Sequence, residues 1–330
     1  MPATLAMVAE RAGVSRSAVS RTFTAGASVS TATRAKVMQA AEALGYSTNL
    51  LARSLTTRQT GMVGLVLNNF HNPVFLQIFD LFTRGLQDRG LRPLLVNLSG
   101  ETDPARSVQL LRQYSADGVV VASSELPNTF AESFKAAGIP TVLAFGRGSA
   151  TPGVDVVSID NVEAGHMAAR ALLSRGYKRL GFVGGPEHAT TTIDRWTGFA
   201  EAAGASAANP RFAGDYSFEA GRRAMQAEME AGQMAEAYFC ADDVISIGAI
   251  SALQDRGHRV PQDIGIMGLD DMEMAGWDNI GLTTIRQPFA DMVEAVLERL
   301  VQLMADPGLT PQARLLPCTL TERKTLRSVR

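Results

Sequence analysis

The sequence predicts a small all-α head built on a helix-turn-helix, joined by a short linker to a large α/β core of two similar lobes. Residues 4 to 45 show helical periodicity punctuated by capping side chains and glycines. From Met62 onward strand patterns alternate with amphipathic helices at intervals of roughly 25 to 35 residues, the rhythm of βαβ units and a parallel sheet. The strand candidates outnumber what one doubly wound sheet of modest size uses, so the core divides into two such sheets.

The head is justified first. Thr4 is placed to cap a helix whose apolar Leu5, Val8, Ala9 and Ala12 follow the i, i+3, i+4, i+7 pattern, and Gly13 stops it. Ser15 caps a second helix, on which Val19 and Phe23 turn inward while Arg16, Ser17, Ser20, Arg21 and Thr24 share the opposite side. Ser30 caps a third, Thr31 to Leu44, directed inward by Val37, Ala41 and Leu44 and ended by Gly45. Asn49 to Gly61 is too short for a stable lone helix and too polar at its end for a core, so it reads as a linker. The predicted division is 1–48 head, 49–60 linker and 61–330 core.

In the core the strand candidates are "MVGLVL", "RPLLVNL", "DGVVVAS", "IPTVLAF", "VDVVSID", "RLGFVGG", "EAYFCA", "DIGIMGL" and "LTTIRQP". Amphipathic segments such as Asn161 to Arg175, Phe218 to Ala231 and Asp243 to Arg256 lie between them. Ligands of such folds sit beyond the carboxyl ends of the strands, here a cleft between two lobes.

Composition sets the function classes. A chain of 330 residues that is 46% hydrophobic has room for a large core. Residues 1 to 60 hold seven basic side chains against Glu10 and Glu42, a balance of +5; the chain total is −2, so the remainder carries −7. A basic head on an acidic body suggests a polyanion at the head. Cys240 and Cys318 stand alone and the four histidines are scattered, so neither a disulfide framework nor a metal site is expected. The opening residues carry no secretory signal pattern and no apolar stretch is of membrane length, which points to the cytoplasm. A core enzyme is disfavoured, because "GFVGGP" lacks the glycine spacing that receives a pyrophosphate and no catalytic constellation or cofactor motif is legible. A solute-binding protein of the same core is the alternative, though it has no use for the first 60 residues.

A glycine turn followed by a helix with an arginine-rich face is the geometry in which the second helix enters the major groove of DNA. Arginine offers paired donors to guanine, and serine reaches bases or phosphate. The head "TLAMVAERAGVSRSAVSRTFTAGASVSTATRAKVMQAAEALGYSTNLLARSL" and the core segments "NPVF", "VVSIDNVEAG", "RGYKRLGFVGGP", "RWTGF", "CADDVISIGAI", "GIMGLDD" and "LTTIRQP" resemble the lactose-repressor and galactose-repressor family of bacterial transcription regulators. The resemblance implies a periplasmic-binding-protein-like core of two parallel doubly wound sheets and a homodimer on a near-palindromic operator of double-stranded DNA. It also implies a small-molecule effector, a sugar, sugar acid or similar polar metabolite, and a protein that is nucleoid-associated when DNA-bound.

Carried over by position, Arg16, Ser17 and Arg21 match base-reading residues, with Ser20 in the same row. Leu5, Ser15, Ser30, Thr33 and Asn49 match backbone or arm contacts, and Ala52 and Leu55 fall on the family's minor-groove hinge helix. Arg34 and Lys36 are expected to weaken binding to all sequences alike when removed. In the core Val74, Phe75, Thr191, Arg195, Tyr216, Asp242, Asp270 and Gln287 match the effector pocket. Phe145 stands where many sugar-binding members have an acidic residue, which favours a ligand with a flat or apolar face or a carboxylate for Arg195. Arg195 and Asp270 are expected to hold that ligand while contributing little to folding. The C-terminal "TERKTLRSVR" has no apolar heptad of the kind that makes a tetramerising helix.

Overall fold

Thr4, Ser15 and Ser30 each begin a helix in the computed structural model, accepting from the backbone amides of Met7, Ala18 and Thr33 at 3.4, 3.2 and 3.2 Å. The structure describes residues 3–23, 27–46, 59–67, 70, 72–98, 103–123, 126–232 and 234–329. Thr24, Asn49, Ala52, Leu55 and nearly all of the 49–60 linker lie outside the described residues. The chain separates into two compact units, Met1–Thr60 and Gly61–Arg330.

In the first unit the helices are Leu5–Ala12, Arg16–Thr22 and Thr31–Leu44. Gly13 and Gly45 end the first and third in the left-handed region, at φ 65° and 61°, where a side chain would be strained. Val8, Ala9, Val19, Val37, Ala40 and Ala41 form the core, with Leu5, Phe23, Leu44 and Tyr46 packed on it. Thr22 is buried as well, its hydroxyl bonded to the carbonyl of Ala18 at 2.8 Å. Its own carbonyl accepts from Arg34 Nη1 at 2.9 Å. Arg34 is therefore also a helix-end tie, a role the sequence did not suggest.

The second unit holds two six-stranded sheets, ordered β11-β5-β4-β3-β1-β2 and β12-β10-β9-β8-β6-β7. In the first, β1 is Met62–Leu67, β2 Arg92–Asn97, β3 Gly118–Ala122, β4 Thr141–Ala144, β5 Asp155–Ile159 and β11 Ala313–Leu316. In the second, β6 is Leu180–Gly184, β7 Arg211–Phe212, β8 Ala237–Cys240, β9 Gly265–Asp270, β10 Thr283–Arg286 and β12 Thr319–Thr321. Every described pairing is parallel except β10 with β12. The chain crosses between the lobes after β5, after β10 and between β11 and β12. β7, β11 and β12 were not expected: β7 has two residues, and the others are edge strands only partly buried.

Glycine sets one close approach. The helices Asn161–Leu173 and Thr190–Ala203 cross backbone to backbone, so that a Cβ on Gly198 would lie 1.9 Å from the Val162 carbonyl oxygen. The helix Phe289–Ala305 returns to the first lobe, where Leu297 fills the space beside Gly85. Among the described residues no helix is long and apolar enough to cross a membrane.

Candidate functional site

On the head, the capped start of Arg16–Thr22 puts Arg16, Ser17, Ser20 and Arg21 in an exposed row. Ser15 caps that helix and its hydroxyl also meets that of Ser17 at 2.9 Å. Ser30 and Thr33 stand together at the start of the third helix, their hydroxyls 2.9 Å apart. Leu5 is half-buried against the head core.

In the larger unit, Val74, Phe75, Phe145, Thr191, Arg195, Tyr216, Asp242, Asp270 and Gln287 all line one cavity. The lining also includes Asn72, Ile78, Ser158, Ile159, Asn161 and Phe289, which sequence reasoning missed. Asn161 and Phe289 immediately follow two of the crossings, and the rule that sites gather at strand carboxyl ends is the signal that finds them.

One wall is apolar. Phe145 packs edge-on to Phe75 and Phe289, with ring centroids 6.5 and 6.1 Å apart. Phe145 sits at φ 66°, an unusual backbone for a non-glycine residue, directly after β4. Ser158, 1% exposed, borders this wall, and its hydroxyl has no hydrogen-bond partner among the described residues.

The other wall is polar and hydrogen-bonded. Tyr216 places its hydroxyl between those of Thr191 and Thr192, at 2.9 and 2.8 Å. A Cβ on Gly185 would come within 2.4 Å of the Tyr216 ring, which explains the last glycine of "GFVGG". Asp242 caps the helix Asp243–Asp255 through Ile245 N at 2.7 Å, and its other oxygen accepts from Asn72 Nδ2 at 2.8 Å. Asp270 accepts from Gln287 Nε2 at 2.6 Å and has φ 131°. Asp243, one layer deeper, takes the hydroxyl of Thr284 and the amide of Met272, at 2.5 and 2.8 Å.

Burial governs the protonation of these acids. Desolvation raises Asp242 to about 6 and Asp243 to about 7, and lifts Asp270 well above the ordinary carboxylate range, where its neighbours Asp242 and Asp243 push the same way. The Arg195 guanidinium opposes the rise at Asp242 and Asp270. Desolvation likewise raises the Tyr216 phenol. Arg195 is 5% exposed and already donates to Asn161 Oδ1 at 2.8 Å and to the Ala241 carbonyl at 2.6 Å. Two of the five N–H donors of Arg195 are thus committed inside the protein, and two buried acids share the same lining.

Residues 4–49 match the family model described as bacterial regulatory proteins, lacI family, and residues 150–326 match that of a periplasmic binding protein-like domain. The HTH-type transcriptional repressor PurR of Mannheimia succiniciproducens is 27% identical over 332 residues, covering 99% of both chains. The HTH-type transcriptional regulator CelR of Thermobifida fusca is 31% identical over 333 residues, covering 98% of both. Among solved structures, the lac repressor dimer bound to operator and the anti-inducer ONPF aligns with a TM-score of 0.88 at 25% identity, over 99% of this chain and 100% of that one. A complex of the transcriptional regulator CelR with cellobiose aligns at 0.72 with 28% identity, over 98% and 99%.

Proposed function

The chain belongs to the lacI family of bacterial regulatory proteins and is a DNA-binding transcriptional regulator, and we propose that it works as a homodimeric repressor on a near-palindromic operator, controlled by a small molecule in the core cavity. The observation that carries the DNA reading is the exposed row Arg16, Ser17, Ser20 and Arg21 on a helix begun by the Ser15 cap. In this reading Arg16, Ser17 and Arg21 face base edges, while Leu5, Ser15, Ser30, Thr33 and Asn49 touch the backbone. Ala52 and Leu55 belong to a hinge segment that enters the minor groove, where an apolar wedge unstacks a base step at a cost of a few kcal/mol.

The core residues named above hold the effector and perform no chemistry, in keeping with a family of regulators rather than enzymes. The cavity suits a compact polar molecule with hydrogen-bond donors for Asp242 and Asp270 and an apolar face for Phe75, Phe145 and Phe289. An uncharged sugar or similar metabolite fits that lining better than a sugar acid. Such a molecule changes DNA affinity only through differential affinity for two arrangements of the lobes. A regulator of this kind acts in the bacterial cytoplasm.

Selection of duplexes from a random pool tests the DNA reading. The expected product is a two-fold symmetric motif bound with a steep salt dependence from counterion release. Recovery of no enriched motif by folded protein sinks it. The cavity reading is tested by melting the protein against sugars, sugar acids, nucleobases and sugar phosphates, since a ligand of the folded state raises its melting temperature.

A further inference from the structure

Among the described residues, side-chain hydrogen bonds run directly between the lobes inside the cavity and beside it. Inside, Asn72, which precedes the first-lobe helix Val74–Asp88, donates to Asp242 of the second lobe at 2.8 Å. Its own amide oxygen accepts from Val74 N at 3.1 Å, which fixes the direction of the amide. Both side chains are buried. Beside the cavity, Arg147 follows Phe145 in the first lobe and donates from Nε and Nη2 to the two oxygens of Asp194, at 2.9 and 2.5 Å.

Asp194 is carried by the second-lobe helix Thr190–Ala203, between the cavity residues Thr191 and Arg195. The backbone at Arg147 is itself held, because its carbonyl accepts from Asn128 Nδ2 at 2.9 Å. A fork with both oxygens engaged constrains direction as well as distance. The pair therefore ties the element that presents Thr191 and Arg195 to the rim of the opposite lobe.

We propose that Arg147 and Asp194 form a latch, with Asn72 on Asp242 as its inner catch, that biases the lobes toward one another before any small molecule enters. The three residues Arg147, Asp194 and Asn72 are positioning residues for the regulatory response. The inference rests on the reading of the cavity as the effector site. It also constrains the chemistry of the entrant: the molecule displaces Asn72 and must bring a donor of its own to Asp242, since a buried carboxylate oxygen stripped of its donor is costly. Arg147 is 44% and Asp194 18% exposed at the side chain, so the pair is a modest, salt-sensitive bias rather than a lock. A bias of that size is what a ligand can overcome.

The test uses the full chain with spin labels on Gln113→Cys in the first lobe and Arg223→Cys in the second, both exposed positions, and no added small molecule. Asp194→Asn, Arg147→Gln and the swap Arg147→Asp with Asp194→Arg are compared with the parent. The expected result is a longer, broader interlobe distance distribution in each single variant, with recovery in the swap. Affinity for the duplex selected from a random pool should change about two- to fivefold in the single variants and return in the swap, the range a partly exposed pair supplies. Folded single variants whose distance distribution matches the parent overturn the latch. A changed distribution with unchanged duplex affinity leaves the latch standing and overturns the reading that lobe arrangement controls DNA binding.

Discussion

Arg195 and Asn161 are joined by a buried hydrogen bond, Nε to Oδ1 at 2.8 Å, which ties the helix Thr190–Ala203 to the first residue beyond the crossing that follows β5. A second bond from Nη1 reaches the carbonyl of Ala241 past the end of β8, at 2.6 Å. One side chain thus fastens three elements at the floor of the cavity. The expectation that Arg195 contributes little to folding does not survive this geometry.

Arg195→Ala is predicted to lose both bonds and leave two buried acceptors unpaired, a cost of about 2 to 4 kcal/mol. Urea denaturation of the full chain should show it as a lowered midpoint with an unchanged slope. Arg195→Lys should fall between the two, since an ammonium reaches one acceptor but lacks the fork. A midpoint for the alanine variant equal to that of the parent would show that these bonds carry no stability.

The acids of the cavity predict a stability profile with pH. Asp242 is raised to about 6 and Asp243 to about 7, with Asp270 raised as well, in each case chiefly by desolvation. The folded state therefore binds protons more tightly than the unfolded chain, whose carboxylates titrate near pH 4. Their contribution is full below that value and is lost as pH rises through about 6 to 7. His166 has the same sign, raised chiefly by its hydrogen bond to Glu201 with Glu163 assisting. Asp263, lowered by Arg259, and Glu163, lowered chiefly by Arg170, lose their contributions only as pH falls through the acid range. The melting temperature should accordingly rise on going from about pH 8 to about pH 5.5, and Asp242→Asn should flatten that slope. A melting temperature that falls over the same interval contradicts the assignment.

The head was legible because its determinants are local: a hydroxyl three residues before the amide it caps, and a glycine where the chain must turn left-handed. The nine expected lining residues of the cavity were legible through family resemblance and strand ends. Asn72 was not, because nothing near "HNPVF" signals that it meets Asp242, 170 residues away. Arg147 and Asp194 are 47 residues apart and each looks like an ordinary surface charge in its own segment. The edge strands β11 and β12 were missed because a few half-exposed residues carry no clear period of their own and take their form from β5 and β10.

In the head, the tie from Arg34 to the carbonyl of Thr22 separates two cations that looked alike in the sequence. A cation bonded at a helix C-terminus contributes about 1 kcal/mol. Arg34→Ala should therefore speed hydrogen exchange in the helix Arg16–Thr22 as well as weaken all duplexes, while Lys36→Ala weakens duplexes and leaves exchange unchanged. Arg16→Ala should cost about 1 to 3 kcal/mol at the selected duplex and relax the motif. Equal exchange rates in the Arg34 and Lys36 variants would remove the structural role.

Gly198 gives the sharpest packing test. A Cβ there would meet the Val162 carbonyl oxygen at 1.9 Å and the carbonyl carbon at 2.7 Å, backbone atoms that cannot swing aside as a flexible side chain can. On the facing helix a Cβ at Gly165 would lie 2.2 Å from the Arg195 carbonyl oxygen, so neither helix has room to yield. Gly198→Ala must then push the helices Asn161–Leu173 and Thr190–Ala203 apart. Alanine is favoured over glycine inside a helix by about 1 kcal/mol, but overpacking of this kind costs about 1 to 3 kcal/mol or more, and the separation also strains the bond between Arg195 and Asn161. Thr197→Ala, on the exposed face of the same helix, removes only a hydroxyl bonded to the Ile193 carbonyl four residues back and serves as the control. Urea midpoints should fall sharply for Gly198→Ala and hold or rise for Thr197→Ala. A Gly198→Ala midpoint at or above that of the parent would mean that these helices do not cross backbone to backbone.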